Sequence, residues 1–393
     1  MTKEFILFGV GDVCPNRENN DEIFDGVRGT LAGGDVNFCQ LEPVLTERGA
    51  PAPQARLTCS SSPKAAGAIK RAGFDVISFA TNHCMDWGRD GFQDTLDVLR
   101  EEGFKLIGAG ENLAIARQRQ VVTLEESETG DVTKVAFLAY CSILPQNYWA
   151  QDHKPGCAPM RAYTVYEQIE HDQPGTPCRI HTYPHREDMA HMLEDIAGAK
   201  AEADIVVVSA HWGIHFKEAE IAEYQIDYAH AAIDAGADIV LGHHAHILKP
   251  IEVYKGKVIF YSLGNFAMEE PDNMKRDIEA LGEDMRQSKS HKEMQAINKS
   301  WTEGGNTRAF PADSYKSMIA KAVIRDKQIQ QVSYLPVDIP IGNIPVVLDA
   351  SDERFGGVID YMKKIDAMEG METIYTVKGN EVIINTGSEG INK

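Results

Sequence analysis

The sequence predicts an α/β protein whose sheet is covered on both faces by helices. Three observations carry this. Short apolar runs rich in Val, Ile and Phe, each bounded by Gly, Asp or Asn, recur through the first two thirds of the chain. Helical patterns lie between several of them, the alternation expected of an α/β sheet. Three junctions, Ala72-Gly73-Phe74-Asp75-Val76-Ile77, Ala201-Glu202-Ala203-Asp204-Ile205-Val206 and Ala235-Gly236-Ala237-Asp238-Ile239-Val240, read alike as a helix end followed by a strand. In two of them a Gly stands where a left-handed residue costs least. Their unequal spacing argues against tandem repeats.

In chain order, strands are predicted at Phe5–Val10, Asp35–Leu41, Phe74–Phe79, Lys134–Tyr140, Asp204–Ser209, Asp238–Leu241 and Lys257–Tyr261. Helices are predicted at Ser62–Arg71, which opens with a capping Ser and a first-turn Pro, and at Gly91–Glu102, Asp188–Ala203 and Ala219–Ala235. Residues 142–186 are punctuated by Pro and Gly without a clean period and read as an irregular loop excursion. Residues 267–310 read as a helical insertion of charged, Met- and Lys-rich composition. Met318–Ile324 and Gln328–Val337, separated by Arg325-Asp326-Lys327, read as a hairpin. One domain is expected over residues 1–340, with 341–393 as an extension of one helix and a short strand pair packing on it.

The chain has 393 residues, 43% of them hydrophobic, enough for one large core or two smaller ones. Its formal net charge of −20, with no Lys/Arg-rich stretch to offset it, argues against nucleic acid as a partner. The opening MTKEFILFGVGD has too short an apolar run for a signal peptide, and no later run approaches a membrane span. The expectation is a cytoplasmic protein without a membrane partner, its oligomeric state left open. Seven cysteines without Cys-x-x-Cys spacing argue against a disulfide framework and for reduced thiols, with Cys14 not a zinc-thiolate ligand.

Nearly every predicted strand ends in a polar group: Gly11-Asp12, Leu41-Glu42, Thr81-Asn82-His83, His211-Trp212-Gly213, Gly242-His243-His244-Ala245-His246 and Gly264-Asn265. Open α/β sheets bind ligands beyond the carboxyl ends of their strands, so these groups are expected in one crevice. Carboxylate, imidazole and amide together suit Mn, Fe or Zn, and their number exceeds what one tetrahedral ion takes, which points to a dinuclear centre. Each piece also has a structural reading. Asp12 fits a turn or cap, Glu42 a surface carboxylate before Pro43, Asn82-His83 an Asx-turn, and His211 a buried hydrogen-bonded imidazole. Three imidazoles within His243-His244-Ala245-His246 have few structural uses. Alternate residues share a side, so His244 and His246 are expected to converge and His243 to point elsewhere in a supporting role. His153, His171, His181, His185, His191, His215, His230 and His291 lack such context and read as surface or packing residues.

Taken in order, these residues resemble the CapA family of poly-γ-glutamate capsule-synthesis proteins, within the calcineurin-like metallophosphoesterase superfamily. The most specific stretches are Gly11-Asp12-Val13 with Arg17, Ala80-Thr81-Asn82-His83 through Asp86 and Gly88, His211-Trp212-Gly213, and Gly242–Pro250 followed by Tyr261-Ser262-Leu263-Gly264-Asn265-Phe266. The resemblance implies a four-layer sandwich, two β-sheets flanked by helices, with two metals held by Asp12, Glu42, Asn82, His211, His244 and His246. It makes His83 the general acid and sets Arg17 at the mouth of the site to pair a substrate anion. His243, Trp212 and Asn265 fall in supporting or substrate-contacting positions. Two departures stand out: Cys14 occupies the place of a superfamily His, and Gln40-Leu41-Glu42 that of the family's Asn-Leu-Glu. The expected activity is hydrolysis of an amide or ester, such as a γ-glutamyl bond, in a small or oligomeric carboxylate-bearing substrate by metal-activated water. Phosphomonoester or phosphodiester hydrolysis and a non-catalytic polymer synthesis or binding subunit are the alternatives.

Overall fold

Period-two alternation of side chains decides how the chain layers itself. In the strand Ile205–His211, Ile205 and Val207 join one apolar core while Val206, Val208 and Ala210 join another. Val132–Cys141 divides the same way, with Val135, Phe137, Ala139 and Cys141 on one side and Ala136, Leu138 and Tyr140 on the other. A strand buried on both faces needs a covering layer on each. The computed structural model, which describes residues 3–53, 55, 57–126, 130–170, 172, 178–269 and 310–387, supplies them as two sheets with helices outside.

The first sheet runs in the order Tyr375–Lys378, Glu381–Ile384, Gln328–Asp338, Lys316–Arg325, Phe5–Cys14, Val36–Leu41, Val76–Ser78, Lys105–Ile107. It is parallel from Phe5–Cys14 to Lys105–Ile107 and antiparallel on the other side. Asn265–Met268 adds to the end of Phe5–Cys14 in parallel. The second sheet runs Ile251–Tyr254, Lys257–Phe260, Ile239–His243, Ile205–His211, Val132–Cys141, Gln120–Glu125. The sheets meet face to face. Phe38 stacks on Phe137 with ring centroids 6.3 Å apart, and Gly9 lies so close to Leu241 that a Cβ there would stand 2.8 Å from Leu241 Cδ1. Lys64–Ala72 and Gly88–Glu101 bury Ile69, Phe92, Leu96 and Leu99 against the first sheet. Arg186–Glu202 and Glu223–Ala235 bury Met192, Ile196, Tyr228 and Ala232 against the second. This is the four-layer sandwich that the resemblance implies, with two main sheets where the strand and helix alternation alone predicts one.

Gly73 and Gly236 cap their helices at φ 105° and 117°, as the junctions predict. The Lys316–Arg325/Gln328–Asp338 hairpin turns on Asp326 and Lys327, both at positive φ (51° and 61°), the geometry that matches strand twist in a two-residue loop. Two expectations need correction. The last helix of the second layer begins at Glu223 rather than Ala219, because Phe216 and Ala219 sit at positive φ (56° and 62°) and hold the chain in a turn. Residues 142–186 are not simply irregular: Ala162–Gln168 pairs with Cys178–Pro184 as a separate two-stranded ribbon. The helical segment expected at 267–310 lies outside the described residues except for 267–269 and 310, as do His171 and His291. Among the described residues no helix is long and apolar enough to cross a membrane.

Helix Glu353–Glu369 buries Phe355, Val358, Met362 and Ile365 in the core shared with the first sheet. From it, buried Asp366 accepts hydrogen bonds from the Ile251 amide (3.0 Å) and the Tyr375 hydroxyl (2.5 Å). Burial outweighs these bonds and lifts its carboxyl to about 6. A carboxyl raised on folding binds its proton more tightly in the native state, so its contribution is complete below about pH 4 and is lost as pH rises through about 6. Two pK units correspond to at most about 3 kcal/mol. Thermal melts from pH 4 to 7.5 are expected to show the parent losing stability relative to Asp366→Asn across that window; parallel curves would remove the effect.

Candidate metal centre

Both sheets direct polar side chains into one place because their strands end at the same edge. On Phe5–Cys14 the register against Val36–Leu41 shifts between Gly9 and Asp12, a bulge that re-aims the strand end carrying Asp12. Gly11 fits only as glycine: a Cβ there would lie 2.0 Å from the Gly264 carbonyl oxygen, and the Asp12 amide donates to that same oxygen at 3.0 Å. His211 and His243 extend the inward series Ile205, Val207, Ser209 and Ile239, Leu241, and so face the gap between the sheets. His244 and His246 follow at positive φ (85° and 55°), which breaks the strand pattern and turns the His246 ring toward the carboxylates and the His244 ring toward Asn82 and His211.

The resulting cluster is tight. One ligand atom each of Asp12, Glu42 and His211 lie within 4.8 Å of one another, all three residues buried. His246 Nδ1 stands 3.5 Å from Asp12 Oδ2, and its Nε2 3.8 Å from Glu42 Oε1. Asn82 Oδ1 lies 2.7 Å from His211 Nε2 and 3.0 Å from His244 Nδ1, while His211 Nε2 is 3.7 Å from Glu42 Oε2. The structure thus brings together all six residues expected to hold metal.

Asp12 Oδ1, Glu42 Oε1 and His211 Nδ1 are buried without a hydrogen-bond partner in the described structure, a costly arrangement for apposed carboxylates unless a cation joins them. Burial, reinforced by the Glu42 charge and opposed by the His244 amide, pushes the Asp12 carboxyl well above its usual range. Burial, with neighbouring imidazoles adding to it, holds His211 and His244 well below theirs, so both are neutral, the form that ligates. Two carboxylates, an amide and neutral imidazoles fit a divalent cation.

His83 stands at the edge of this set, its side chain 18% exposed where Glu42 is 1% and His211 0%. Its Nδ1 meets Asp86 Oδ2 at 2.5 Å, which leaves Nε2 toward Glu42 Oε1 at 3.8 Å. Asp86 is buried and held by the Cys59 amide (2.6 Å) and the Tyr148 hydroxyl (2.9 Å). Burial alone would lower His83, but the Asp86 charge and hydrogen bond, with Glu42, lift it to about 9. Sequence reasoning gave Asp86 no role; the His-x-x-Asp spacing within one turn was the available signal.

The supporting positions divide. Asn265 Oδ1 meets His246 Nδ1 at 2.8 Å and so orients that ring. His243, expected to point elsewhere, instead brings Nδ1 to 3.7 Å from Asp12 Oδ1, packs on Phe38 and is depressed by burial to about 3. Trp212 is buried in the outer core: its ring stacks on Tyr261, its indole N–H donates to the Tyr261 carbonyl at 2.9 Å, and its amide donates to the His243 carbonyl. Arg17 is also corrected. Its Nε and Nη2 both donate to Glu269 Oε1 (3.0 and 2.8 Å), and Nη2 also to the Gly342 carbonyl, on the wall of a cavity of about 650 Å³ that none of the six ligands lines. An intramolecular carboxylate takes the guanidinium the resemblance gave to substrate. Cys14 sits instead in a small apolar cluster with Cys59, Met268 and Phe310, its sulfur 3.6 Å from that of Cys59.

Of the histidines read as surface or packing, His181 pairs with Glu167 and Glu223, His185 accepts from the Asp188 amide at a helix start, and His230 meets Glu252. His153 is exposed and His191 half-buried. His215 breaks the expectation. Its ring stacks on His244 at 3.8 Å between centroids and lies 5.3 Å from His246.

The family described as bacterial capsule synthesis protein PGA_cap matches residues 6–270. The chain is 30% identical to the PGA biosynthesis protein CapA of Bacillus subtilis (strain 168) over 277 residues, 68% of this chain and 64% of that one. It is 30% identical to the capsule biosynthesis protein CapA of Bacillus anthracis over 258 residues, 65% of this chain and 56% of that one. The matched region thus spans less than two thirds of these relatives' own length. Among solved structures, the calcineurin-like phosphoesterase YfkN from Bacillus subtilis is similar at 12% identity and TM-score 0.41, covering 94% of this chain and 98% of that one. With residues 6–270 matched, more than half of its length, this chain belongs to the bacterial capsule synthesis protein PGA_cap family.

Proposed function

We propose that the chain is a metal-dependent hydrolase that cleaves an amide or ester, of the γ-glutamyl kind, in an anionic carboxylate-bearing substrate. The observation that carries this is the pairing of an unneutralised buried carboxylate and imidazole set with an imidazole held for proton transfer beside it. Asp12, Glu42, Asn82, His211, His244 and His246 would hold the metal, a dinuclear pair by ligand number. Divalent cations bound there supply charge against the developing oxyanion and lower the pKa of water toward neutrality. The residues do the rest. Asp86 fixes the His83 ring so that Nε2 carries the mobile proton, which it gives to the leaving group. Asn265 fixes the His246 ring through its Nδ1, which would leave Nε2 for the metal.

The substrate class draws on the names of the relatives, which describe PGA and capsule biosynthesis, and on the resemblance to poly-γ-glutamate capsule-synthesis proteins. The test is metal analysis of the purified chain followed by assays with Mn, Fe and Zn on γ-glutamyl amides and on a generic aryl phosphate. Metal-dependent release of glutamate, abolished by chelation, is the expected result. Phosphate release without glutamate release would replace the reading with phosphoester hydrolysis. Metal uptake without turnover of either would favour a polymer-binding subunit.

A further inference from the structure

A segment that sequence reasoning passed over forms one lip of the metal centre. After Gly213 (φ 91°) the chain turns at Phe216 and Ala219, and it is fastened to the helix that follows it and, through Ala245 and Lys249, to the histidine loop. The Gly213 amide donates to the Tyr224 hydroxyl at 2.8 Å, and the Phe216 amide donates to the Ala245 carbonyl at 3.1 Å. Lys249 is buried, and its Nζ donates to the Glu220 carbonyl at 2.7 Å and to the Lys217 carbonyl. A lysine buried on two backbone carbonyls is a costly way to close a loop, and it holds His215 and Phe216 in place.

What that clamp presents is specific. His215 is exposed, yet its ring lies nearly parallel to His244 (28°) and to His246 (20°), two buried imidazoles of the cluster. Phe216 stacks on His246 at 5.7 Å, and Phe310 approaches the same ring at 5.2 Å. One polar ring facing solvent and two apolar rings therefore border the imidazoles.

We propose that His215 is a substrate-binding residue that donates a ring N–H to an oxyanion of the substrate, with Phe216 packing on the short apolar stem that carries it. Lys249 is its positioning residue. The inference rests on the metal-centre reading and deepens it: the substrate presents an anionic group on an aliphatic stem beside the scissile bond. A ring N–H donated to an anion is a charge-assisted hydrogen bond, whose loss typically costs tenfold or more in affinity.

The test uses the full chain loaded with Mn, its metal content measured, and calorimetric titration with inorganic phosphate and n-butyl phosphate as oxyanion probes. His215→Ala is expected to keep its metal and bind both probes about tenfold or more weakly. His215→Gln, which keeps an N–H donor, should recover much of the loss. Phe216→Ala should weaken n-butyl phosphate alone, and Lys249→Met should weaken both probes at unchanged metal content. Parent-like affinity in His215→Ala at equal loading overturns the proposal and leaves the metal centre standing, as does an equal loss in the Ala and Gln variants, which would mark simple packing on His244. Loss of metal in His215→Ala would make it a ligand and likewise overturn the substrate role. A parent that takes up no metal removes both this inference and the reading beneath it.

Discussion

His83→Asn is expected to lower turnover by roughly two orders of magnitude or more while metal content and melting temperature stay near those of the parent. The basis is a division of labour visible in the geometry. His83 has Nδ1 fixed by Asp86 at 2.5 Å, and Asp86 is itself fixed by the Cys59 amide and the Tyr148 hydroxyl, so Nε2 is the ring atom left for chemistry. A positioned acid or base contributes typically about 10²–10⁴-fold in rate, and an Asn of similar reach keeps polarity without delivering a proton. The measurement is kcat on the substrate that the hydrolase panel identifies, alongside metal analysis. Asp86→Asn should fall between the two, because it leaves the ring in place but frees its tautomer and orientation. A His83→Asn enzyme as active as the parent would remove the proton-donor role.

His244→Ala is expected to lose metal and activity together. Its Nδ1 lies 3.0 Å from Asn82 Oδ1 and 3.2 Å from His211 Nε2, so removing the ring disturbs three ligands at once. Loss of groups that merely support a ligand already costs about 10–100-fold in metal affinity, and loss of the ligand itself should cost more. The second readout is thermal. A cation that binds only the folded chain stabilises it by about 4 kcal/mol at a thousandfold excess over its Kd, so added Mn should raise the parent's melting temperature and leave that of His244→Ala nearly unmoved. Equal metal shifts in both proteins would take His244 out of the ligand set.

The parts of the site legible in the sequence are those that end strands. Asp12, Glu42, Asn82 and His211 follow apolar runs, and period-two alternation plus the strand-end rule suffices to gather them. His243 exposes the limit of that logic. Positive φ at His244 and His246 redirects their side chains, so extended-chain parity correctly joins those two but misplaces His243, which stays on the inward series of its strand beside Asp12. His215 and Asp86 were missed for a related reason. Both lie in turns, where no periodicity ranks one polar residue above another; the His-x-x-Asp spacing was the one local mark on Asp86, and only tertiary contact with the site marks out His215. Arg17 was over-read because its partner Glu269 is 252 positions away, and no local pattern shows that ion pair. The ribbon Ala162–Gln168/Cys178–Pro184 escaped notice because the Pro and Gly of the surrounding stretch hid a strand pair outside both main sheets.

The two sheets come from successive lengths of chain: Phe5–Cys14 through Lys105–Ile107 builds the parallel half of one, and Gln120–Glu125 through Lys257–Phe260 builds the other. Asp12, Glu42 and Asn82 belong to the first length, and His211, His244 and His246 to the second. A cation held by this set is therefore a cross-link as well as a chemical group. Segments that otherwise open independently, each with its own free energy, become one cooperative unit when a shared ion binds across them. In amide exchange, strand ends from both halves should gain protection together on metal loading and lose it together on chelation, so that the element performing the chemistry also sets the grain along which the molecule comes apart.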